Sequence, residues 1–150
     1  PREAKMEEQV DTLQSRVSKY LTRMGLEAQP DANGLFLFKY GTTAVMVNLF
    51  ESEENTFVRF ASTLLTGVAP NVGLVRRILR LNAEVLFGSF LLFEDNTLSF
   101  AATLLGNDLD FKEFETTLRY VAKVSDDYDD FFQEIAGGDR AFDVYGEAYE

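Results

Sequence analysis

The order in which helix-like and strand-like patterns follow one another is the feature of this sequence that most constrains its fold. Residues 72–86 have apolar side chains at helical spacing, Asn71 can cap them, and strand-like segments lie on both sides. Short connections between neighbouring strands require antiparallel pairing. The sequence therefore predicts a helix that interrupts an antiparallel sheet. The predicted strands are 35–40, 43–50 and 56–65 before this helix, and a hairpin of 87–93 and 97–105 after it.

Two further helices are predicted to enclose this central region. Residues 2–24 carry one apolar stripe and are followed by Gly25, a residue that commonly ends a helix. Asp110 and Glu113 form a capping signature for a last helix, which the Gly137-Gly138 pair ends. We predict an α+β, two-layer fold with an antiparallel sheet and the order α-βββ-α-ββ-α. Residues 1–138 are predicted to form a single domain, and residues 139–150 an acidic C-terminal tail.

The charge of the chain argues against two kinds of partner. Its formal net charge is −11, and residues 106–150 hold 13 of the 25 acidic side chains but only 4 of the 14 basic ones. Nucleic acid and anionic membrane surfaces repel such a chain. No apolar run is long enough for a membrane span, and the absence of Cys fits a reducing compartment. We expect no nucleic acid partner, no membrane span and a cytoplasmic location.

The residue types that most often carry catalysis are missing. His and Cys are absent, which excludes Ser-His-Asp and Cys-His sites, and no Gly-rich phosphate-binding motif occurs. The acidic run from Asp126 to Asp130 lacks the Gly and Glu that a calcium loop needs at its sixth and twelfth positions. We interpret it as a solvated helix face. The sequence predicts no enzyme, no metal site and no cofactor.

Alternation along the first and third strands indicates that both faces of the sheet are partly apolar. One face of the first strand carries Leu35 and Leu37 beside Lys39, and one face of the third carries Phe57 and Arg59. We take Leu35, Leu37, Phe57 and Arg59 as candidate partner-binding residues. A domain core or a dimer interface would explain the same apolar residues.

A second candidate site lies on the central helix. Its apolar positions include Val72, Val75, Leu79 and Leu86, and we place three basic residues on the opposite side. One hypothesis is that these basic residues dock an acidic segment, either of a partner or of a second copy's C-terminal helix. The other is that they form a solvated face. The three are Arg76, Arg77 and Arg80.

A string of short apolar and Gly positions spread over residues 8–138 resembles the YbjN domain family, which groups with the type III secretion chaperones. The resemblance implies a secretion-chaperone-like domain, often dimeric, that binds segments of other polypeptides without ATP, and it implies no catalytic residue. The residues that carry it are Tyr20-Leu21, Gly25-Leu26, Gly34-Leu35, Tyr40-Gly41, Leu64-Leu65, Gly67-Val68, Leu81-Asn82, Phe87-Gly88-Ser89-Phe90 and Gly137-Gly138.

These observations lead to two main hypotheses about function. The first is a non-enzymatic protein- or peptide-binding module, chaperone-like or regulatory, that uses apolar sheet and edge-strand surface. The alternative is a structural or obligate-dimer subunit, with the central helix or the later hairpin at the seam. The expected partner is an unidentified protein or peptide, with a homodimer as a further possibility. A small-molecule sensor or an enzyme is a minor third reading.

Overall fold

The computed structural model describes residues 2–141. The helices and strands follow the predicted order α-βββ-α-ββ-α, and one short strand is added after the last helix. The prediction of an α+β fold with an antiparallel sheet is therefore confirmed. The elements are α1 (Arg2–Arg23), β1 (Leu35–Tyr40), β2 (Thr43–Ser52), β3 (Asn55–Thr66), α2 (Val72–Glu84), β4 (Ser89–Leu92), β5 (Leu98–Leu105), α3 (Phe111–Ala136) and β6 (Asp139–Arg140).

The strands form one sheet in which every neighbouring pair is antiparallel. The order across the sheet is β1-β2-β3-β5-β4, and β6 pairs with the end of β3. β3 and β5 are neighbours although α2 and β4 separate them along the chain. This connection leaves β1 and β4 as the edge strands and places β3, the longest strand at 12 residues, at the centre.

α1 and α3 pack on the same face of the sheet, which makes the domain two-layered. The ring of Phe60, on β3, lies 5.1 Å from the ring of Phe114 on α3. Phe114 in turn lies 5.5 Å from the ring of Tyr20 on α1. Strand side chains that point to this face are buried, as the alternation of β3 requires. The core therefore lies between this face of the sheet and the helices.

The predicted apolar stripe of α1 faces the core. Leu13, Val17 and Leu21 are buried along it, and the helix ends at Arg23. Gly25 follows at a positive φ of 77°, and the backbone N–H of Leu26 donates to the carbonyl of Leu21. This is the C-terminal geometry that Gly favours.

α3 begins with the predicted capping box. The side chain of Asp110 accepts from the backbone N–H of Glu113 at 2.7 Å, and the Glu113 carboxylate accepts from the backbone of Asp110. The acidic run from Asp126 to Asp130 is helical, so its interpretation as a helix face is confirmed. Within this helix Lys123 donates to Asp127 at 2.6 Å, and this hydrogen bond raises the pKa of Lys123.

The side of α2 that faces the core is not the one that carries the apolar positions singled out in the sequence. Leu74, Ile78 and Leu81 are buried against α3 and β4. By contrast, Val72 is 68% exposed and Leu79 66% exposed. Val75 and Leu86 are exposed as well. The helix is capped by Asn71 as predicted and ends at Glu84, two residues before its predicted end.

The chain after α3 returns to the sheet. Asp139 and Arg140 pair with Thr66 and Leu65 of β3, and Arg140 forms an ion pair with Asp130. These two residues fall in the segment that we assigned to the acidic tail. Ala141, the next residue of that segment, is buried, and residues 142–150 lie outside the described residues.

Candidate binding surface

One face of the sheet is covered by the helices, and no described helix packs on the other, which we call the open face. Side chains of five strands point to it, as the pairing registers and the alternation of each strand determine. Apart from the basic residues Lys39 and Arg59, the side chains of the open face are small, apolar or neutral. The open face consists of Leu35, Leu37, Lys39, Ala44, Met46, Asn48, Phe50, Phe57, Arg59, Ala61, Thr63, Ser89, Leu91, Ser99, Ala101, Thr103 and Leu105.

The structure places the four strand residues predicted to bind a partner on this face. Leu35 is directly opposite Asn48, and Asn48 is directly opposite Arg59, so the three form a line across β1, β2 and β3. With strands about 4.8 Å apart, Leu35 and Arg59 are separated by about 10 Å. Leu37 and Phe57 lie on the two sides of this line. The predicted set is thus one continuous surface.

The residues around Arg59 hold its guanidinium group in place. Nε of Arg59 donates to Oγ1 of Thr103 on β5 at 3.0 Å. The guanidinium carbon lies 5.2 Å from the ring centroid of Phe50, which is within cation–π range. Phe50 is stacked on Phe57, with ring centroids 5.5 Å apart. Arg59 is therefore an exposed cation set on an aromatic pair.

A row of apolar side chains runs beside this group. Leu37 on β1, which is 44% exposed, is opposite Met46 on β2, and Met46 is opposite Ala61 on β3. Ala61 is opposite Ala101 on β5. Ala61 and Ala101 are each only 7% exposed, so the accessible part of the row is provided mainly by Leu37 and Met46. Leu37 and Met46 therefore offer apolar contact surface to a partner.

Sequence reasoning missed several members of the surface. Phe50 and Met46 belong to β2, and Leu105, which is 49% exposed, lies opposite Phe57 at the end of β5. The signal for them was present in the alternation of both strands. Alternation divides the side chains of β2 and β5 into two sets each. Only the pairing register decides which set lies on the same face as Arg59.

The three arginines of α2 are not brought to the open face, since α2 packs against α3 and β4. Arg76 is exposed and is a helix neighbour of Val72 and Leu79, at spacings of four and three, and the exposed Arg80 follows Arg76 by four residues. The three arginines were predicted on the side opposite these apolar positions, and for Arg76 that placement is wrong. Arg77 points toward α3, where its guanidinium lies 5.2 Å from the ring of Phe131. Arg77 therefore has an aromatic contact with α3 that is described for neither Arg76 nor Arg80.

The side chains of the described residues offer little for chemistry. The buried polar residues between positions 2 and 141 are Thr and Ser, so every charged side chain in this range is at least partly exposed. The same range contains no group of three or more His, Cys, Asp or Glu that could hold a metal ion. No helix in this part of the chain has the length and apolarity of a membrane span. What the range does offer is contact surface.

An antiparallel sheet with helices on one face and a largely apolar open face on the other offers surface for binding another molecule. The family model for the T3SS (YopN, CesT) and YbjN peptide-binding chaperones 1 matches residues 11–144, and the chain belongs to this family. The predicted resemblance is thereby confirmed. Membership in a family of peptide-binding chaperones also supports the prediction that the protein is not an enzyme. No curated protein is significantly similar to the chain in sequence.

Solved structures of type III secretion chaperone complexes have the same fold. A chain of the ExsC–ExsE complex aligns with a TM-score of 0.66 at 16% identity, over 82% of this chain and 95% of that one. The Yersinia pestis type III secretion chaperone SycH, crystallised with a fragment of YscM2, gives 0.60 at 15% identity over 77% and 98%. The HopA1–SchA chaperone–effector complex gives 0.61 at 12% identity over 80% and 96%. The secretion-chaperone-like fold is therefore confirmed.

Proposed function

We propose that this protein binds a segment of a partner polypeptide on the open face of its sheet, and that this binding, without catalysis, is its function. The observation that carries the proposal is the continuous surface of Leu35, Leu37, Phe57 and Arg59 in a member of a peptide-binding chaperone family. The similar solved structures are complexes with protein partners, which supports the use of this fold for holding a polypeptide.

The size of the apolar contribution is adequate for such binding. A segment that covers roughly 200 Å² of apolar surface gains on the order of 5 kcal/mol at about 25 cal/mol per Å². Losses of translational, rotational and side-chain freedom offset much of this gain. The resulting affinity is moderate, and specificity depends on polar positions and on shape.

The edge strand β1 adds main-chain hydrogen bonding to the proposal. Among the described strands, β1 pairs on one side only, with β2, so its other side offers backbone donors and acceptors to an extended segment. Leu35 and Leu37 project to the open face from this same strand. A segment that pairs with β1 can therefore continue over the open face with its side chains in contact.

The proposal is tested by selecting peptides from a random phage-displayed library and measuring their affinity by fluorescence anisotropy. Phe57→Asp puts a charge in the centre of the surface and is expected to weaken binding at least about tenfold. Leu79→Asp on α2 is the matched control, because it makes the same kind of change at an exposed apolar residue away from the sheet. A Phe57→Asp protein that folds normally and keeps its affinity would refute the proposed site.

A second candidate function, self-association through α2, is supported by a separate observation. Val72 and Leu79 are 68% and 66% exposed on this helix, and Leu86, two residues beyond its end, is 84% exposed, so together they form an exposed group of apolar side chains. A second copy of the chain would cover them, and Arg76 and Arg80 would then meet acidic residues of that copy. Light scattering tests this idea. Leu79→Asp should convert a dimer to a monomer, while Phe57→Asp should leave the dimer intact.

Three expectations from the sequence remain proposals. We propose a cytoplasmic location, on the basis of the lack of Cys in the chain. We retain residues 1–138 as a single folded domain and residues 139–150 as an acidic C-terminal segment, whose first two residues pair with β3. We also retain Arg76, Arg77 and Arg80 as residues that dock an acidic segment, with Arg77 the least available because it already contacts Phe131.

A further inference from the structure

The open face differs in charge from the rest of the protein. The chain has 25 acidic and 14 basic residues, yet no Asp or Glu projects from β1–β5 to this face. Its charged residues are Lys39 and Arg59. In an acidic protein, a face that bears only positive charge favours an acidic ligand.

Arg59 lies at the centre of this face and among neutral neighbours. The residues directly opposite it are Asn48 on β2 and Thr103 on β5. Its neighbours on the same side of β3 are Phe57 and Ala61. Within residues 2–141 it forms no ion pair, and its hydrogen bond to Thr103 uses Nε. Among the described residues, none bonds to the terminal nitrogens of this guanidinium group, so both can donate to a ligand.

The contacts of Arg59 also fix its position before a partner binds. The bond from Nε to Thr103 and the ring of Phe50 beneath the guanidinium restrict the side chain. A restrained arginine loses less conformational freedom on pairing with a carboxylate than a free one, and its planar group favours two parallel hydrogen bonds. This arrangement makes Arg59 a specificity-determining residue.

We infer that the bound segment carries an Asp or Glu side chain that pairs with Arg59, with an apolar residue on each side of it. The apolar residues contact Phe57 and Leu105 on one side of Arg59, and Met46 and Leu37, beside the buried Ala61, on the other. Each of these two apolar groups is displaced from Arg59 by two residues along the strands, a distance of about 7 Å. This inference rests on the proposed function and names the chemistry of the partner.

A polyanion fits this site less well than a single carboxylate. The net charge of −11 repels nucleic acid, and a phosphate backbone would leave the nearby apolar side chains of Phe57, Leu105 and Met46 exposed to water. A segment with one acidic side chain between two apolar ones matches both parts of the site. The ligand is therefore a polypeptide with a defined local pattern.

The experiment is a selection from a random dodecapeptide library, displayed at the N terminus of a phage coat protein so that no free C-terminal carboxylate is present. Wild type, Arg59→Glu and the charge-matched control Arg119→Glu, on α3, are used as baits. We expect wild type and Arg119→Glu to enrich an acidic residue with apolar residues two to four positions away on each side. We expect Arg59→Glu to enrich Lys or Arg at that position instead.

The same peptides then give a quantitative check by anisotropy. Replacing the selected Glu by Gln should weaken binding to wild type about fivefold to tenfold and should leave binding to Arg59→Glu equal or stronger. Apolar peptides selected without an acidic residue, or equal acidic enrichment by wild type and Arg59→Glu, would overturn this inference and leave the proposed function standing. If wild type selects no peptide at all, both are rejected.

Discussion

Phe50 and Phe57 are directly opposite each other on β2 and β3, with ring centroids 5.5 Å apart and ring planes inclined by 20°. The guanidinium of Arg59 lies over the Phe50 ring on the same face. One aromatic pair therefore supports both the apolar and the basic part of the proposed binding surface. Because the pair is half-buried, it also contributes to the stability of the free protein.

This stacking is testable by a double-mutant cycle with Phe50→Leu and Phe57→Leu, measured by urea denaturation. Stacked aromatic pairs contribute about 0.5–1.5 kcal/mol beyond the area they bury. We expect a coupling free energy of about 0.5–1 kcal/mol, since one side of the pair is open to water. Phe50→Leu combined with Leu37→Ala is the control cycle and should be additive. Additivity of the Phe50–Phe57 cycle would show that the stack adds nothing to stability.

The orientation of α2 predicts opposite outcomes for two leucines five residues apart. Leu74 is fully buried, so Leu74→Ala leaves a cavity and should lower the free energy of unfolding by about 2–5 kcal/mol. Leu79 is 66% exposed, so Leu79→Ala should change it by less than about 0.5 kcal/mol. Chemical denaturation of both variants at low protein concentration measures the difference. Equal losses would contradict this orientation.

Asn82 connects the end of α2 to the edge of the sheet. Its side chain accepts from the backbone N–H of Phe90 at 2.6 Å and donates to the Phe90 carbonyl at 3.2 Å. Asn82→Ala should cost about 1–3 kcal/mol, because both backbone groups lose their partner. Asn82→Asp keeps the acceptor and should cost less. Amide hydrogen exchange at Phe90 should rise in the Ala variant; unchanged protection there would argue against this role.

Gly106 is required at the junction between β5 and α3 because the chain passes close to other atoms there. A Cβ at this position would lie 2.6 Å from Cδ2 of Leu13 and 2.8 Å from Oγ1 of Thr56. Gly106→Ala should therefore destabilise the protein by about 1–3 kcal/mol through overpacking. Gly41→Ala is the comparison, since it has open space but a positive φ of 61° and should cost about 1 kcal/mol. A thermal melt of Gly106→Ala equal to wild type would disprove the close packing.

Element order and type followed from local patterns in the sequence. The stripe of α1, the capping box of α3 and the alternation of β5 each depend on residues within a few positions, which a single chain displays directly. Two results did not follow. The buried side of α2 was not identified, because Val72 and Leu79 have the same helical spacing as Leu74 and Leu81. The short pairing of β6 was missed, because two residues carry no periodic signal.

For the binding surface, the chain itself determined which residues alternate together, and so it identified Leu37, Phe57 and Arg59 as candidates. Only the tertiary structure decided that Leu35, Phe50 and Arg59 share one face, because that depends on strand registers and on which face the helices cover. Hydrophobic periodicity is a property of each element alone, whereas the partner of a face is set by packing between elements distant in sequence. The same reason explains why α2 keeps an apolar side exposed.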